Sequence, residues 1–348
     1  MTRPTRDLAV AFRDHWDRHF ALPAGSRAVV AVSGGIDSMS LLALLAREGV
    51  AEAADLIAAH FDHGTRGADS DEDGRFVAEV AQRWGVAVRL GRGDAPARAA
   101  ETGRGPMAAA RELRYAFLRE TAEAAGAAAI VTAHQRDDRV ETALLRLTRG
   151  TSVDGLGALK PIERRQGIWL MRPLLPFSRA AIEAWAERAG VPFREDPSNR
   201  SERYPRTRIR RDVLPRLREI NPRADEAIVR LAALAAADAA YLGERARAHL
   251  EEATLARDGE AWSFSAAALA GAPDPILSRA VLAGWVWVAP AGARPPAAEW
   301  VEGAIEFLRG GRGGRVPCPG GGEIRRSGPR VTFERAAERR KDDGDDDG

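Results

Sequence analysis

Ala28-Val29-Val30-Ala31-Val32 runs directly into Ser33-Gly34-Gly35-Ile36-Asp37-Ser38, and a helical pattern opens behind it at Met39-Ser40-Leu41-Leu42. Apolar strand, glycine-serine loop and helix together make a phosphate cradle. The glycines let the backbone turn and present its N–H groups, the serines add hydroxyl donors, and the helix adds its positive dipole end. It is not the nucleotide loop of Gly, four residues, Gly, Lys and Ser/Thr, because no lysine stands in it; nor does it carry three spaced glycines of the dinucleotide fingerprint. Asp37 is the unusual residue. A carboxylate beside phosphates requires a divalent cation between them, which suits a nucleotide whose pyrophosphate leaves with Mg²⁺.

Outward from this loop, short apolar runs alternate with amphipathic helices as far as about Thr148. Strands are expected at Leu56–Ala59, Val86–Val88 and Ala129–Thr132. Helices are expected through Phe76, Val77, Val80, Ala81 and Trp84, from about Met107 to Ala125, and from Asp137 to Leu147. That order predicts an α/β fold with a doubly wound parallel sheet and ligands at the carboxyl ends of its strands. After the break at Gly150–Gly157, the segment Trp169–Leu175 and a helix carrying Ile182, Trp185, Ala186 and Ala189 complete this part. From Asn221-Pro222 an alanine-rich helical region begins, with Ile228, Leu231, Ala235, Leu242 and Ala246 on one face of a long helix. The glycine-rich close, Gly310–Gly314 and Pro319–Gly322, punctuates short strands of a small α+β module. The expected domains are thus 1–220, 221–290 and 291–335, followed by a charged, disordered tail at 336–348.

A chain of 348 residues with 45% hydrophobic residues can bury more than one core. No apolar stretch is long enough to span a bilayer, and no signal-like apolar run follows Met1–Asp7, so a soluble cytoplasmic protein without membrane partners is expected. Cys318 is the single cysteine, which excludes an internal disulfide and a cysteine-held cluster. The net charge of +2 conceals an asymmetry, since five aspartates sit between Asp342 and Asp347. With those five of the 50 acids set aside, 52 basic residues face 45 acidic ones. Eight arginines, at 200, 203, 206, 208, 210, 211, 216 and 218, oppose only Glu202 and Asp212 within their run, a balance that fits a polyanionic partner better than a small metabolite.

Three further clusters carry chemistry. In Ala110-Arg111-Glu112-Leu113-Arg114-Tyr115, Arg111 and Arg114 share a helix face and either grip a carboxylate or phosphate or simply solvate the helix. In Thr132-Ala133-His134-Gln135-Arg136-Asp137-Asp138-Arg139-Val140-Glu141-Thr142, Asp138 and Glu141 face the same way and offer two carboxylates to a cation, Mg²⁺ or an ammonium. Asp137 is read as the helix cap; His134 either orients a phosphate or packs under the loop. The third cluster is Glu195-Asp196-Pro197-Ser198-Asn199, leading through Tyr204-Pro205-Arg206-Thr207-Arg208-Ile209-Arg210 to Leu214-Pro215.

The Ser33–Ser38 loop resembles the signature of the ATP pyrophosphatases, which adenylate a substrate and release pyrophosphate. The three clusters, together with His63-Gly64-Thr65-Arg66, Arg149-Gly150 and Arg172-Pro173-Leu174-Leu175, resemble the tRNA(Ile)-lysidine synthetase family over nearly everything from Arg27 to Pro222. Beyond Pro222 the likeness is loose. Met107, Gln135 and Thr207 depart from the family pattern, which bears on lysine and anticodon contacts and not on the reaction class.

The resemblance implies a ligase that uses ATP and Mg²⁺ to adenylate the C2 oxygen of the wobble cytidine in a tRNA(Ile) with anticodon CAU. L-lysine's ε-amine then displaces AMP to give lysidine, changing codon recognition from AUG to AUA. On that footing Ser33, Gly34, Gly35, Ile36, Asp37 and Ser38 bind ATP, and Asp37, Asp138 and Glu141 are catalytic. Asp37 and Asp138 hold the metal, Arg111, Arg114 and Glu141 take lysine, and Arg206, Arg208 and Arg210 meet tRNA. The resemblance also allows a homodimer. Two other chemistries compete on the same fold: a base-thiolating enzyme, disfavoured by the single cysteine, and a small-molecule amide synthetase, which has no use for the arginine run.

Overall fold

The computed structural model describes residues 7–51, 54–64, 68–157, 159–194, 205–290 and 293–336. The 195–199 turn, Arg200, Arg203, Tyr204, Thr65, Arg66 and the aspartate tail, all singled out in the sequence, lie outside them. The chain divides into two compact units, Met1–Leu234 and Ala235–Gly348.

The first unit is built on strands β1 (Ser26–Ala31), β2 (Ala54–Asp62), β3 (Ala87–Arg92), β4 (Ala129–Val131), β5 (Ile162–Arg165) and β6 (Ile168–Met171). Its helices are α1 (Leu8–His19), α2 (Ile36–Leu42), α3 (Ala68–Arg83), α4 (Ala95–Thr102), α5 (Pro106–Ala125), α6 (Arg136–Leu147), α7 (Val153–Leu156), α8 (Arg179–Arg188), α9 (Pro205–Arg208), α10 (Leu214–Ile220) and the start of α11 (Ala224–Ala253). The sheet order is β3-β2-β1-β4-β6-β5, parallel except for the antiparallel edge strand β5. The doubly wound sheet expected from the alternation is therefore present. The Arg165–Ile168 link, with Gln166 and Gly167 both at positive φ, is the two-residue hairpin that sets β5 against β6. The charged Glu163-Arg164-Arg165 sequence hides β5 from a reading based on apolar runs.

β1 explains why an unbroken apolar run was needed. Ala28, Val30 and Val32 pack into the larger core with Met39, Leu42, Val77, Ile182 and Trp185, while Val29 faces a second core with Ala59, Leu118, Ala122 and Ile130. A parallel strand covered on both faces cannot alternate polar residues. Polar chemistry is pushed to the strand ends. A third small cluster, Val140 with Ile209, Leu214 and Ile228, seats the 205–220 helices against α6.

Helix α2 begins at Ile36, three residues before the apolar pattern, so Asp37 and Ser38 stand in its first turn. It passes into a wider turn at Ala43–Arg47. Asp137 is not the cap of α6: Gln135 takes that position, accepting the Asp137 N–H at 2.6 Å, while Asp138 closes a reciprocal capping box by accepting the Gln135 N–H at 3.0 Å. A glutamine side chain reaches back as aspartate does, and the periodicity alone places the boundary one residue late.

In the second unit five antiparallel strands, β7 (Thr254–Arg257), β8 (Ala261–Ser265), β9 (Gly314–Pro317), β10 (Glu323–Ser327) and β11 (Arg330–Glu334), pair in the order β7-β8-β11-β10-β9. Pairing of β8 with β11 joins residues on both sides of position 290 into one sheet, so the part of 221–290 beyond Leu234 shares a core with 291–335 rather than forming a separate module. That core contains Phe264, Leu277, Val281, Trp285, Leu308, Ile324 and Phe333.

Helix Asp274–Val288 crosses β11 at Gly284, where an added Cβ would run into the Phe333 ring. Replacing a mid-helix glycine by alanine gains about 1 kcal/mol of helix propensity, whereas forcing an overpacked core costs about 1–3 kcal/mol. Gly284→Ala is expected to lower the urea midpoint of this unit despite the propensity gain, and Gly284→Ala with Phe333→Leu to recover it. A raised midpoint in the single variant would show that the ring yields freely.

Candidate functional site

The loop after β1 is shaped by Gly34, whose φ of +90° would strain any residue with a side chain. Ser38 Oγ accepts the Ser33 N–H at 3.1 Å and donates to Gly35 O at 2.9 Å, while the two serine hydroxyls lie 3.2 Å apart. No side chain caps α2, so the N–H groups of its first turn have no side-chain acceptor. The result is a cup of backbone donors and two hydroxyls, open to an anion.

Asp37 projects from that first turn with Oδ1 buried and without a hydrogen-bond partner. Burial pushes its carboxyl up to about 6, opposed by the charge of Arg179 and assisted by the charges of Asp138 and Glu183. An unpartnered carboxylate oxygen held in a desolvated cleft fits a cation that arrives with its ligand. No group of three or more His, Cys, Asp or Glu side chains capable of holding a metal occurs among the described residues. Such a cation would draw most of its oxygen ligands from a phosphate and water, as Mg²⁺ commonly does.

The neighbouring carboxylates are already engaged. Glu141 is fully buried; its Oε1 accepts from Arg210 Nε at 2.6 Å and its Oε2 from Arg206 Nε at 2.7 Å and Arg210 Nη2 at 3.1 Å. Asp138 Oδ1 accepts from Arg206 Nη2 at 2.9 Å while Oδ2 serves the α6 cap. Burial raises the Asp138 carboxyl above its usual range against the pull of Arg206. Asp137 accepts the Arg179 N–H at 3.3 Å and lies 3.8 Å from Arg218. Of the three arginines read as an outward basic group, Arg206 and Arg210 therefore turn inward. Arg208 alone is mainly exposed, 4.0 Å from Asp212.

A second group of cations has no carboxylate against it. Arg111 and Arg114 lie over the Tyr115 ring, at 4.8 and 5.5 Å from its centroid, and neither makes an ion pair among the described residues. Burial lowers the Arg114 guanidinium from its ordinary value, with Arg111 adding to the effect. His134, partly buried, is held well below its usual range by desolvation and by the charges of Arg172, Arg114, Arg111 and Arg206, so it is neutral at pH 7, with Nδ1 2.9 Å from Thr132 Oγ1. Two guanidiniums free of carboxylates beside a neutral imidazole form a donor set that suits an anion.

Two arginines gain importance from the structure. Arg172, read only as part of a motif, is 1% exposed and pins β6 to β5 through Glu163 and the Lys160 carbonyl. Arg179, at the start of α8, has no local signal in the sequence; its place beside Asp37 comes from packing of α8 onto α2. A concavity of about 660 Å³, lined by Arg27, Asp55, Trp84 and Arg89, lies at the amino ends of β1 and β2, opposite the loop. It holds none of the groups described above.

A parallel sheet with a lysine-free Ser-Gly-Gly-Ile-Asp-Ser loop at its switch point defines the PP-loop class, and residues 8–217 match the PP-loop domain family. The chain is 41% identical to a tRNA(Ile)-lysidine synthase from Geobacter sulfurreducens over 225 residues, 64% of this chain and 47% of that protein. A tRNA(Ile)-lysidine synthase from Geobacillus kaustophilus is 34% identical over 325 residues, 92% of this chain and 69% of that protein. The chain belongs to the tRNA(Ile)-lysidine synthase family. It spans about half the length of the first of these curated relatives. Among solved structures, the U34-tRNA thiolase NcsA from Methanococcus maripaludis superimposes with a TM-score of 0.53 at 16% identity, covering 64% of this chain and 76% of that one, a likeness of fold.

Because the folded-state Asp37 carboxyl lies above its ordinary 3.8, at about 6, its ionisation opposes folding. The penalty is absent at low pH, develops as pH rises from the unfolded to the folded value, and is complete above it. Asp37→Asn is expected to stabilise the ligand-free chain by up to about 3 kcal/mol at pH 8, the gain shrinking towards zero near pH 4. Urea titrations across that range check this. A gain independent of pH would assign the effect to packing instead.

Proposed function

We propose that this chain carries out lysidine formation on tRNA(Ile) with anticodon CAU, consuming ATP and L-lysine. The observation that carries the reading is the PP-loop cup with the unpartnered Asp37 oxygen beside it, in a chain whose relatives bear that enzyme's name. The cup, Ser33 to Ser38, takes the phosphates of ATP. Asp37, with Asp138 once Arg206 releases it, would hold Mg²⁺, and the ion would supply neutralisation of charge on the phosphates. The cytosine O2 attacks the α-phosphorus, the bond to the β-phosphate breaks, and pyrophosphate leaves. Lysine's ε-amine then bonds to C2, the C2–O bond breaks, and AMP departs with the oxygen while the amine gives up a proton. The exocyclic C2 oxygen is a poor leaving group until it carries a phosphate, which is the reason ATP is consumed.

Lysine's carboxylate fits Arg111 and Arg114, whose guanidiniums lack an acidic partner. Glu141 takes the ε-ammonium only if Arg206 and Arg210 move aside, so lysine entry is coupled to a shift of the 205–213 segment. Arg208, and Arg206 and Arg210 once freed, then meet tRNA phosphates. The helical region 221–290 is assigned to tRNA as well. No helix among the described residues is long and apolar enough to cross a membrane. A thiolating enzyme fits less well, because Cys318 is buried and its thiol is pushed up to about 11.

Labelled lysine is expected to enter a tRNA(Ile) transcript with C34, dependent on ATP, and not the same transcript with U34 or G34. Incorporation indifferent to the wobble base, or none with C34, would overturn the reading. Arg111→Gln and Arg114→Gln are each expected to raise the KM for lysine by about 10- to 100-fold, the worth of a hydrogen bond to a charged group, with the KM for tRNA little changed. The reverse pattern would move these arginines to the RNA.

A further inference from the structure

We propose that Arg179 is the pyrophosphate-side cation of this PP-loop, supplying from α8 the positive charge that the lysine-free loop lacks. The inference rests on the ATP-binding reading above and assigns a side chain that neither the loop motif nor the three sequence clusters contain.

Three observations meet at Arg179. The loop itself offers backbone N–H groups and hydroxyls but no cationic side chain. Charge growing on a departing pyrophosphate is offset by a cationic side chain in addition to a metal ion, because backbone dipoles alone are a weaker counterweight to a multiply charged group. Arg179 is the cation acting most strongly on Asp37 in the first turn of α2, and Asp37 acts in return on Arg179. Its backbone N–H is fixed to the Asp137 carboxylate at the start of α6, and Arg136 N–H donates to Phe177 O at 2.9 Å, so the openings of α6 and α8 are tied together beside the loop.

The other arginines of this charge cluster are less available. Arg206 commits Nε and Nη2 to Glu141 and Asp138, and Arg210 commits Nε and Nη2 to Glu141. Arg179 commits only Nε, to Glu183 Oε1 at 2.7 Å, and its two Nη nitrogens make no hydrogen bond among the described residues. Glu183 thus aims the guanidinium and leaves its two-nitrogen end for a ligand, the geometry that suits phosphate oxygens. When the α,β-phosphate bond breaks, the leaving oxygen keeps the electron pair, and Arg179 offsets that charge without moving a proton.

The test is calorimetric binding of inorganic pyrophosphate with Mg²⁺, and separately of AMP and of ATP, to the full chain. Arg179→Met is expected to weaken pyrophosphate binding at least 10-fold while changing AMP binding less than 2-fold. Arg179→Lys should recover part of the loss. Glu183→Gln, which breaks the pair but keeps the cation, should stay within 3-fold of the parent. Equal losses of AMP and pyrophosphate in Arg179→Met, no loss of pyrophosphate, or a Glu183→Gln variant as weak as Arg179→Met would each overturn the assignment. A parent chain that binds no ATP overturns the reading of function together with it, whereas a parent that binds ATP and pyrophosphate beside an unimpaired Arg179→Met overturns this inference alone.

Discussion

The constraint on which this molecule turns is the reversal of strand order between β1 and β4. On one side the sheet continues through β2 to β3, on the other through β6 to β5, so the loops leaving β1 and β4 diverge and open a crevice at their carboxyl ends. Each loop leads at once into a helix: α2 brings Asp37, α6 brings Asp138 and Glu141. β6 sends the chain on to α8 and Arg179. Because β1 and β4 are buried on both faces, polar groups cannot sit along them and stand at their ends, so the apolar strands and the charged loops that leave them follow from one topological fact.

Within the crevice, burial sets the electrostatics. Glu141 has no exposed surface and is met by two guanidiniums, with Asp138 sharing one of them. Breaking a fully buried pair costs about 3–5 kcal/mol, and less here, because Arg206 and Arg210 remain partly exposed. Apolar contacts of Val140 with Ile209 and Leu214 add to the hold on the 205–220 helices. That balance matters for the proposed chemistry. A contact of a few kcal/mol is strong enough to order the segment and weak enough for a substrate ammonium, bringing its own charge, to exchange with an arginine.

The architecture of the first unit was legible because it rests on periodicity and on a loop whose residue types have few structural uses. Ala28–Val32 could be read as a strand buried on both faces, and the glycines and serines that follow as a cradle, without any distant partner. What escaped reading depended on partners far away in the chain. Arg206 and Arg210 stand four apart, a spacing that puts both on one helix face but says nothing about whether that face looks to solvent or to Glu141, 65 residues earlier in the case of Arg206. Gln135 and Asp137 illustrate the same limit locally, since either side chain can cap a helix and only the backbone geometry chooses. β5 was missed because an edge strand need not be apolar, and the common core of the second unit because β8 finds β11 across a long separation.

The charges of the first unit sort into two kinds, and the sorting bears on function. Glu141 with Arg206 and Arg210, Glu163 with Arg172, and Asp225 with Arg218 are paired; they fasten one element to another. Asp37 Oδ1, Arg111, Arg114 and the Nη end of Arg179 are left without such partners, and burial works against the charged forms of Asp37 and Arg114. An unpaired charge in a desolvated place lowers stability and persists only where something outside the fold repays it. On the proposed reading the desolvated charges match those of the reactants: a metal-bound polyphosphate for Asp37 and Arg179, and a carboxylate for Arg114 with the exposed Arg111 beside it. The scaffold satisfies itself with the first set and is completed by its ligands through the second.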